Sequence, residues 1–185
     1  GIEAGVVKVE NDLRLYGRIT RPLVQFLMYA SNPILPGLTA NEDGCAKFLA
    51  ELEIGLRQDE ELKSYNDLTL DEKKKLTSAL VMLLHDAGQP EWKIRELVGE
   101  TYTLLKENPK TPCRDVKEFG TLLNACGRHE QGEIGLAVCM GDRNENYSKA
   151  MSLLAEHRKQ LRAGIELMKE KGVEEFENFY FFDAG

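Results

Sequence analysis

Arg114-Asp115-Val116-Lys117-Glu118-Phe119-Gly120-Thr121-Leu122-Leu123-Asn124-Ala125-Cys126-Gly127-Arg128 is the stretch on which the fold turns. Val116, Phe119, Leu122 and Leu123 recur at helical spacing, which predicts an amphipathic helix over residues 114–126 with those four on one side. Gly127 follows as a stop, because glycine adopts the left-handed backbone that ends many helices. Asn124 can bond the backbone around such a turn. Arg128 has two readings: its planar guanidinium can grip a phosphate in a fork, or it caps the helix end or pairs with a carboxylate.

Toward the C-terminus, Gly132–Met140 reads as a further helix and residues 146–171 as the longest one. Met151, Leu154, Leu161, Ile165 and Met168 alternate at spacings of three and four, with Arg158 at the remaining seam position. The stripe runs under four heptads, so packing within the chain is expected rather than a coiled coil. Gly172 ends this helix. Phe176, Phe179, Tyr180, Phe181 and Phe182 read as a strand entering a sheet that is not in this chain.

Toward the N-terminus, Asn108-Pro109-Lys110-Thr111-Pro112 is a turn-rich break, and residues 99–104 read as a strand. Thr39-Ala40-Asn41-Glu42 and Thr69-Leu70-Asp71-Glu72 both have the capping-box pattern, a hydroxyl three residues before a glutamate. The first predicts a helix to about residue 53, burying Cys45, Phe48, Leu49 and Leu52. The second predicts a helix to about residue 86, with Leu76, Leu80, Leu83 and Leu84 inward and Gly88 as its stop. Residues 55–68 predict a shorter helix, and residues 91–98 another after Pro90. Pro22 suits the first turn of a helix carrying Leu23, Val24, Phe26 and Leu27. Pro33, Pro36 and Gly37 make the next stretch a structured turn, and residues 5–9 read as a short strand. The fold class is therefore mainly α with a few short strands.

Hydrophobic content of 42% and charged content of 30% suit a folded domain. Net charge is −7, with the acid excess spread along the chain, which makes it a poor electrostatic magnet for nucleic acid by itself. No apolar run reaches the roughly 20 residues of a membrane helix, no basic-then-apolar leader opens the sequence, and no membrane role is expected. Cys45, Cys113, Cys126 and Cys139 show no C-x-x-C spacing; they read as small apolar side chains, Cys139 among them, and as reduced thiols of a cytoplasmic protein. His85, His129 and His157 stand singly, and His129 reads as a surface residue. Residues 70–98 have a helix-turn-helix outline, but Glu91 and Trp92 stand where a DNA-reading helix wants bases and amides. A packed hairpin is expected instead, with Trp92 in a core or hinge. Lys73-Lys74-Lys75 reads as a solvated face. Asp59-Glu60-Glu61 specifies no metal geometry.

Asn124-Ala125-Cys126-Gly127-Arg128, continued by Gly135–Asp142 and by Ala150, Leu154 and Arg158, resembles the RecJ branch of the DHH phosphoesterases, in its archaeal form. There an Asn-Ala-small-Gly-Arg turn closes the catalytic domain and a long helix leads to the C-terminal domain. Ile19-Thr20-Arg21-Pro22 and Pro33-Ile34-Leu35-Pro36-Gly37-Leu38-Thr39 resemble the region after that family's metal-binding half. The resemblance implies an internal fragment of a larger α/β single-strand exonuclease, divided as a lead-in over 1–19, a helical insertion over 20–110, the end of the catalytic domain over 111–145, and a linking helix with a first strand over 146–185. It implies that Asn124, Gly127 and Arg128 contact phosphate of single-stranded DNA or RNA. It implies that the divalent metal, Mn or Mg, is held by an Asp-His-His motif outside this chain, so no metal or catalytic residue is expected here and the chain alone should be inactive. The insertion occupies the place where archaeal relatives contact the GINS complex, and Phe26, Met28, Tyr29 and Leu35 are the candidate apolar patch for that partner. The family also leaves open a non-catalytic replication scaffold and a phosphoesterase acting on small nucleotides.

Overall fold

The computed structural model describes residues 1–183 and is mainly helical, with a few short two-stranded sheets. It divides into two compact units, Gly1–Phe119 and Gly120–Gly185.

In the first unit, β1 (Val7–Leu13) pairs antiparallel with β4 (Val98–Leu104), from Val7 opposite Leu104 to Leu13 opposite Val98. Arg14 N–H continues the ladder by donating to the Leu97 carbonyl at 2.9 Å. Between these strands lie α1 (Leu23–Met28), α2 (Glu42–Glu51), the hairpin β2 (Arg57–Gln58) and β3 (Glu61–Leu62), α3 (Leu70–Asp86) and α4 (Glu91–Arg95). Their apolar faces close on one core built from Leu15, Leu23, Phe26, Leu35, Cys45, Leu49, Leu76, Leu80, Leu84 and Leu97, with the Phe26 and Tyr65 rings stacked at 5.1 Å. Burial lifts the Cys45 thiol to about 11, and the thiol donates to the Leu38 carbonyl.

Thr69 caps α3 as its sequence predicts. Its hydroxyl accepts from Glu72 N–H at 3.2 Å, and Glu72 accepts from Thr69 N–H at 2.8 Å. Gly88, at φ 68°, ends the helix, with Gln89 N–H donating to the Leu84 carbonyl. Thr39 does not cap α2. Its hydroxyl instead accepts from Leu35 N–H and donates to the Ala30 carbonyl, tying up the Pro33–Gly37 turn. Ala40 then turns left-handed (φ 61°), and Asn41 caps the helix through Gly44 N–H at 2.9 Å. Residues 55–68 are not a short α-helix. A left-handed Asp59 (φ 54°) folds β2 onto β3, and a 3-10 turn follows at Tyr65–Asp67, where Asp67 accepts from the Ser64 N–H and hydroxyl. Trp92 lies in neither core nor hinge packing; it is 63% exposed. Lys73 departs from the solvated face of its neighbours and lies half-buried over the Tyr65 ring, 5.1 Å from its centroid.

The second unit contains most of α5 (Val116–Arg128), then α6 (Gly132–Cys139), α7 (Glu145–Lys171) and a hairpin of β5 (Glu174–Glu175) and β6 (Tyr180–Phe181). Leu122, Ala125, Cys126, Ile134, Val138, Ala150 and Leu154 are buried, whereas Val116 is exposed and does not share the inward side of α5. Gly135 allows α6 to press on α5, since a Cβ there would meet the Cys126 Cβ at 3.3 Å. Cys45, Cys113 and Cys126 are buried; Cys139 is exposed, because α6 turns that side of its last turn outward. The aromatic run at 176–182 does not enter as one strand: its Tyr180–Phe181 pairs back onto Glu174–Glu175.

Thr69→Ala should lower unfolding stability by about 1 kcal/mol, and Asn41→Ala by a similar amount. Both are read by denaturant melts with α-helical circular dichroism as signal. No loss at either position would remove the basis for these helix starts.

Candidate functional site

Asn124, Gly127 and Arg128 lie at i, i+3 and i+4 on the last turns of α5, and all three are exposed. The spacing places them on one face of the helix, opposite the buried Leu122, Ala125 and Cys126. Gly127 is not the stop. The helix runs through Arg128, and the left-handed residue is Glu130 (φ 57°), with Gln131 N–H donating to the Cys126 carbonyl at 2.9 Å and Glu130 N–H to the Gly127 carbonyl at 3.1 Å. Gly127 therefore has ordinary helical backbone, and a Cβ added to it would meet nothing within 4 Å. The same holds for Gly120, which precedes Asn124 by four residues and falls on the same face. Sequence reading missed Gly120, although the spacing Gly120, Asn124, Gly127 was there to see.

The face is thus a strip of bare backbone beside one carboxamide and one guanidinium. The helix C-terminus carries partial negative charge and repels an anion, so any anion held here depends on Arg128. Among the described residues, neither Asn124 nor Arg128 has a side-chain hydrogen bond or ion pair. Such a face suits a ligand whose own backbone comes close while its acidic groups meet the guanidinium fork.

His129 is half-buried rather than a plain surface residue. Its Nε2 is enclosed without a hydrogen-bond partner, and its ring meets His157 edge-on at 6.1 Å. It lines an open cleft of roughly 920 Å3 with Gln131, Ile134, Arg143, Asn144 and Lys149. The cations of this cleft are engaged. Arg143 donates to the Val138 and Asp142 carbonyls, and Lys149 pairs with Glu145 at 2.6 Å.

The candidate partner patch does not form an exposed surface. Phe26 and Leu35 are fully buried, because the 30–40 turn folds over α1, and Met28 packs half-buried against the same core. Only Tyr29 is exposed, with the Arg21 guanidinium 5.0 Å from its ring.

A buried charged cluster in the first unit has no local sequence signal, since it joins residues near position 18 to Asp115 and Glu118, nearly a hundred positions away. Arg18 donates to Asp12 at 2.6 Å and to Asp115 at 3.5 Å, and the Tyr65 hydroxyl donates to Asp12. Beside it, Glu118 is fully buried and accepts from Ile19 N–H at 2.8 Å, Thr20 N–H at 3.2 Å and the Thr20 hydroxyl at 2.5 Å. Burial raises the Glu118 carboxyl above its ordinary value, and those donors only partly oppose the rise. Among the described residues, no group of three or more His, Cys, Asp or Glu is placed to hold a metal ion, and no helix is long and apolar enough to cross a membrane.

Residues 15–98 match the family model of the DHH-CID domain, a domain associated with DHH phosphoesterases. Over 178 residues it is 27% identical to an uncharacterized protein of Methanocaldococcus jannaschii; the alignment covers 96% of this chain and 35% of the relative. The chain therefore spans about a third of the length of the curated relative it matches. The DHH-CID match begins two residues after β1 ends and finishes on the first residue of β4.

Because burial raises the Glu118 carboxyl, its protonated form is favoured more in the folded chain than in the unfolded one. Its contribution is fully present below the ordinary glutamate value of about 4.3 and is lost as pH rises through the raised one. The stability difference between wild type and Glu118→Gln should therefore fall as pH rises across that window, measured by denaturant melts at stepped pH. A difference that stays flat or grows would contradict the burial-dominated shift.

Proposed function

We propose that this chain belongs to a RecJ-like, metal-dependent exonuclease for single-stranded nucleic acid, acting in the cytoplasm in DNA replication or repair. In this reading the exposed face of α5 contacts the substrate backbone, Arg128 forks a phosphate, and Asn124 bonds the adjacent sugar-phosphate. Gly120 and Gly127 let the strand come close. The divalent ion, Mn or Mg, belongs to the parent protein outside these residues, and would activate water for phosphodiester hydrolysis there. The DHH-CID domain serves as a protein-docking module, with the GINS complex as the candidate partner. The observation that carries the reading is Gly127, a glycine inside a helix with open space beside it and an unengaged guanidinium next to it. The acidic balance of the chain favours a second reading, a scaffold that joins GINS to a helicase without hydrolysis.

In the full-length parent, Arg128→Ala should lower kcat/KM on single-stranded DNA at least tenfold, with Arg128→Lys retaining part of it because the point charge survives while the fork is lost. Stability should move by no more than about 0.5 kcal/mol, since the site is exposed. Gly127→Ala should raise stability by about 0.5–1 kcal/mol and lower activity. Unchanged kinetics in both variants would remove α5 from the substrate path. A parent inactive on every single strand, yet binding GINS in a calorimetric titration, would select the scaffold.

A further inference from the structure

A cleft of roughly 500 Å3 in the first unit lies between β1 and the first half of α3. Lys73, Lys74 and Ser78 line it from α3, and Glu10, Asn11 and Asp12 from β1. Among the described residues, the Lys74 ammonium, the Asn11 amide and the Ser78 hydroxyl have no hydrogen bond or ion pair. The Lys73 ammonium has none either; it lies half-buried over the Tyr65 ring, 5.1 Å from its centroid. Burial lowers this amine below its ordinary value, with Asp12 and Glu10 pulling the other way. A cation withdrawn from water without an acceptor is costly to hold, and an anion beside it offsets that cost. The carboxylates of the cleft are already engaged. Asp12 accepts from Arg18 at 2.6 Å and from the Tyr65 hydroxyl, and Glu10 pairs with Lys8 at 2.8 Å through one oxygen.

We propose that this cleft binds a sugar phosphate, with the phosphate on Lys73, Lys74 and Ser78 and the sugar hydroxyls on Asn11 and Glu10. Two ammonium groups and a hydroxyl match a compact anion with several acceptor oxygens. The Asn11 amide and the second Glu10 oxygen match hydroxyl groups, one as donor and one as acceptor. The volume falls within the range of small-ligand sites. A nucleic acid strand matches less well: Glu10 and Asp12 repel its further phosphates, and the Tyr65 ring beside Lys73 is fully buried and offers no base a stacking face. A neutral or apolar segment of the parent protein laid over the cleft would leave the same donors unanswered and deeper. The occupant is therefore rich in acceptors, and a carboxylate of the parent's own chain is the competitor. None of this rests on the α5 face.

The test titrates the 185-residue protein in a calorimeter with ribose 5-phosphate, ribose, inorganic phosphate and oligothymidylate at fixed ionic strength. Ribose 5-phosphate should bind, inorganic phosphate at least tenfold more weakly, and ribose and oligothymidylate not at all. Lys73→Met, which keeps an apolar stem on the Tyr65 ring, should weaken binding at least tenfold. Lys74→Met and Ser78→Ala, both at exposed positions, should each weaken it severalfold without moving the melting temperature, which keeps the test decisive if Lys73→Met fails to fold. Glu10→Gln should narrow the preference for ribose 5-phosphate over inorganic phosphate. Lys75→Met should change nothing, since that ammonium pairs with Glu53 at 3.1 Å away from the cleft. The same Lys73-dependent binding should appear in the full-length parent. Absence of binding, or equal binding of inorganic phosphate, overturns the proposal. So does competition by oligothymidylate, or loss of the binding in the parent, where its own chain then fills the cleft. Arg128→Ala should leave the binding unchanged; if it abolishes binding, the ligand sits on the α5 face and the cleft is excluded.

Discussion

A guanidinium buried between two carboxylates holds the first unit in its arrangement. Arg18 reaches Asp12 on β1 and Asp115 just ahead of α5, and the Tyr65 hydroxyl shares Asp12. Each of these groups is costly to bury alone. Together they offset one another's charge, although the Arg18 Nε is buried without a hydrogen-bond partner, and removal of one member leaves the rest uncompensated, at a cost of about 3–5 kcal/mol. Glu118 adds a second latch next to the first, its carboxyl oxygens accepting from the backbone N–H groups of Ile19 and Thr20. Three stretches far apart in sequence, around Asp12–Thr20, Tyr65 and Asp115–Glu118, are thereby fixed in one register, by partners that tolerate little displacement. Apolar packing alone would be more permissive of sliding.

That latch stands at the base of the region that matches the DHH-CID family model. The β1–β4 ladder brings Leu13 opposite Val98, and the matched residues 15–98 leave and return at that point. Once a ladder fixes the ends of an insertion, its length adds little to the closure entropy. The domain can then build its core from its own helices, as the cluster from Leu15 to Leu97 shows. Arg18, just inside the matched region, ties it back to β1 and to the segment entering α5 through charged hydrogen bonds.

Local chemistry was legible in the sequence and long-range chemistry was not. Thr69 and Gly88 mark α3 because a cap and a left-handed stop act within a few residues of themselves. Thr39 shows the same pattern as Thr69 and fails, since the Pro33–Gly37 turn competes for its hydroxyl and Asn41 lies closer to the helix. Phe26 and Leu35 were read as an exposed patch from their neighbourhood in sequence; burial depends on what folds over them, and the 30–40 turn does. Trp92 went the other way for the same reason. The Arg18 and Glu118 clusters had no sequence signal at all, because nothing short of the fold brings position 18 to position 115. In the candidate site, Asn124, Gly127 and Arg128 could be grouped by spacing alone, while the reason for Gly127 could not.

That reason follows from an inversion of local preference at the end of α5. Glycine is the residue of choice where φ is positive, and an alanine-like residue is preferred inside the helix. Here Glu130 holds the positive φ and Gly127 holds the helical position. Both choices cost stability, about 0.5–1 kcal/mol at the glycine and on the order of 1 kcal/mol or more at the glutamate. At Gly135 close packing explains the missing side chain, since α6 and α5 touch there. At Gly127 and Gly120 no described atom comes near, so packing within the chain supplies no such explanation. Where a sequence departs from its local optimum without an internal reason, the reason is to be sought in something that binds. The proposed approach of ligand backbone along the Gly120–Asn124–Gly127 strip, ending at the Arg128 guanidinium, would account for both the missing side chains and the cation left unengaged beside them.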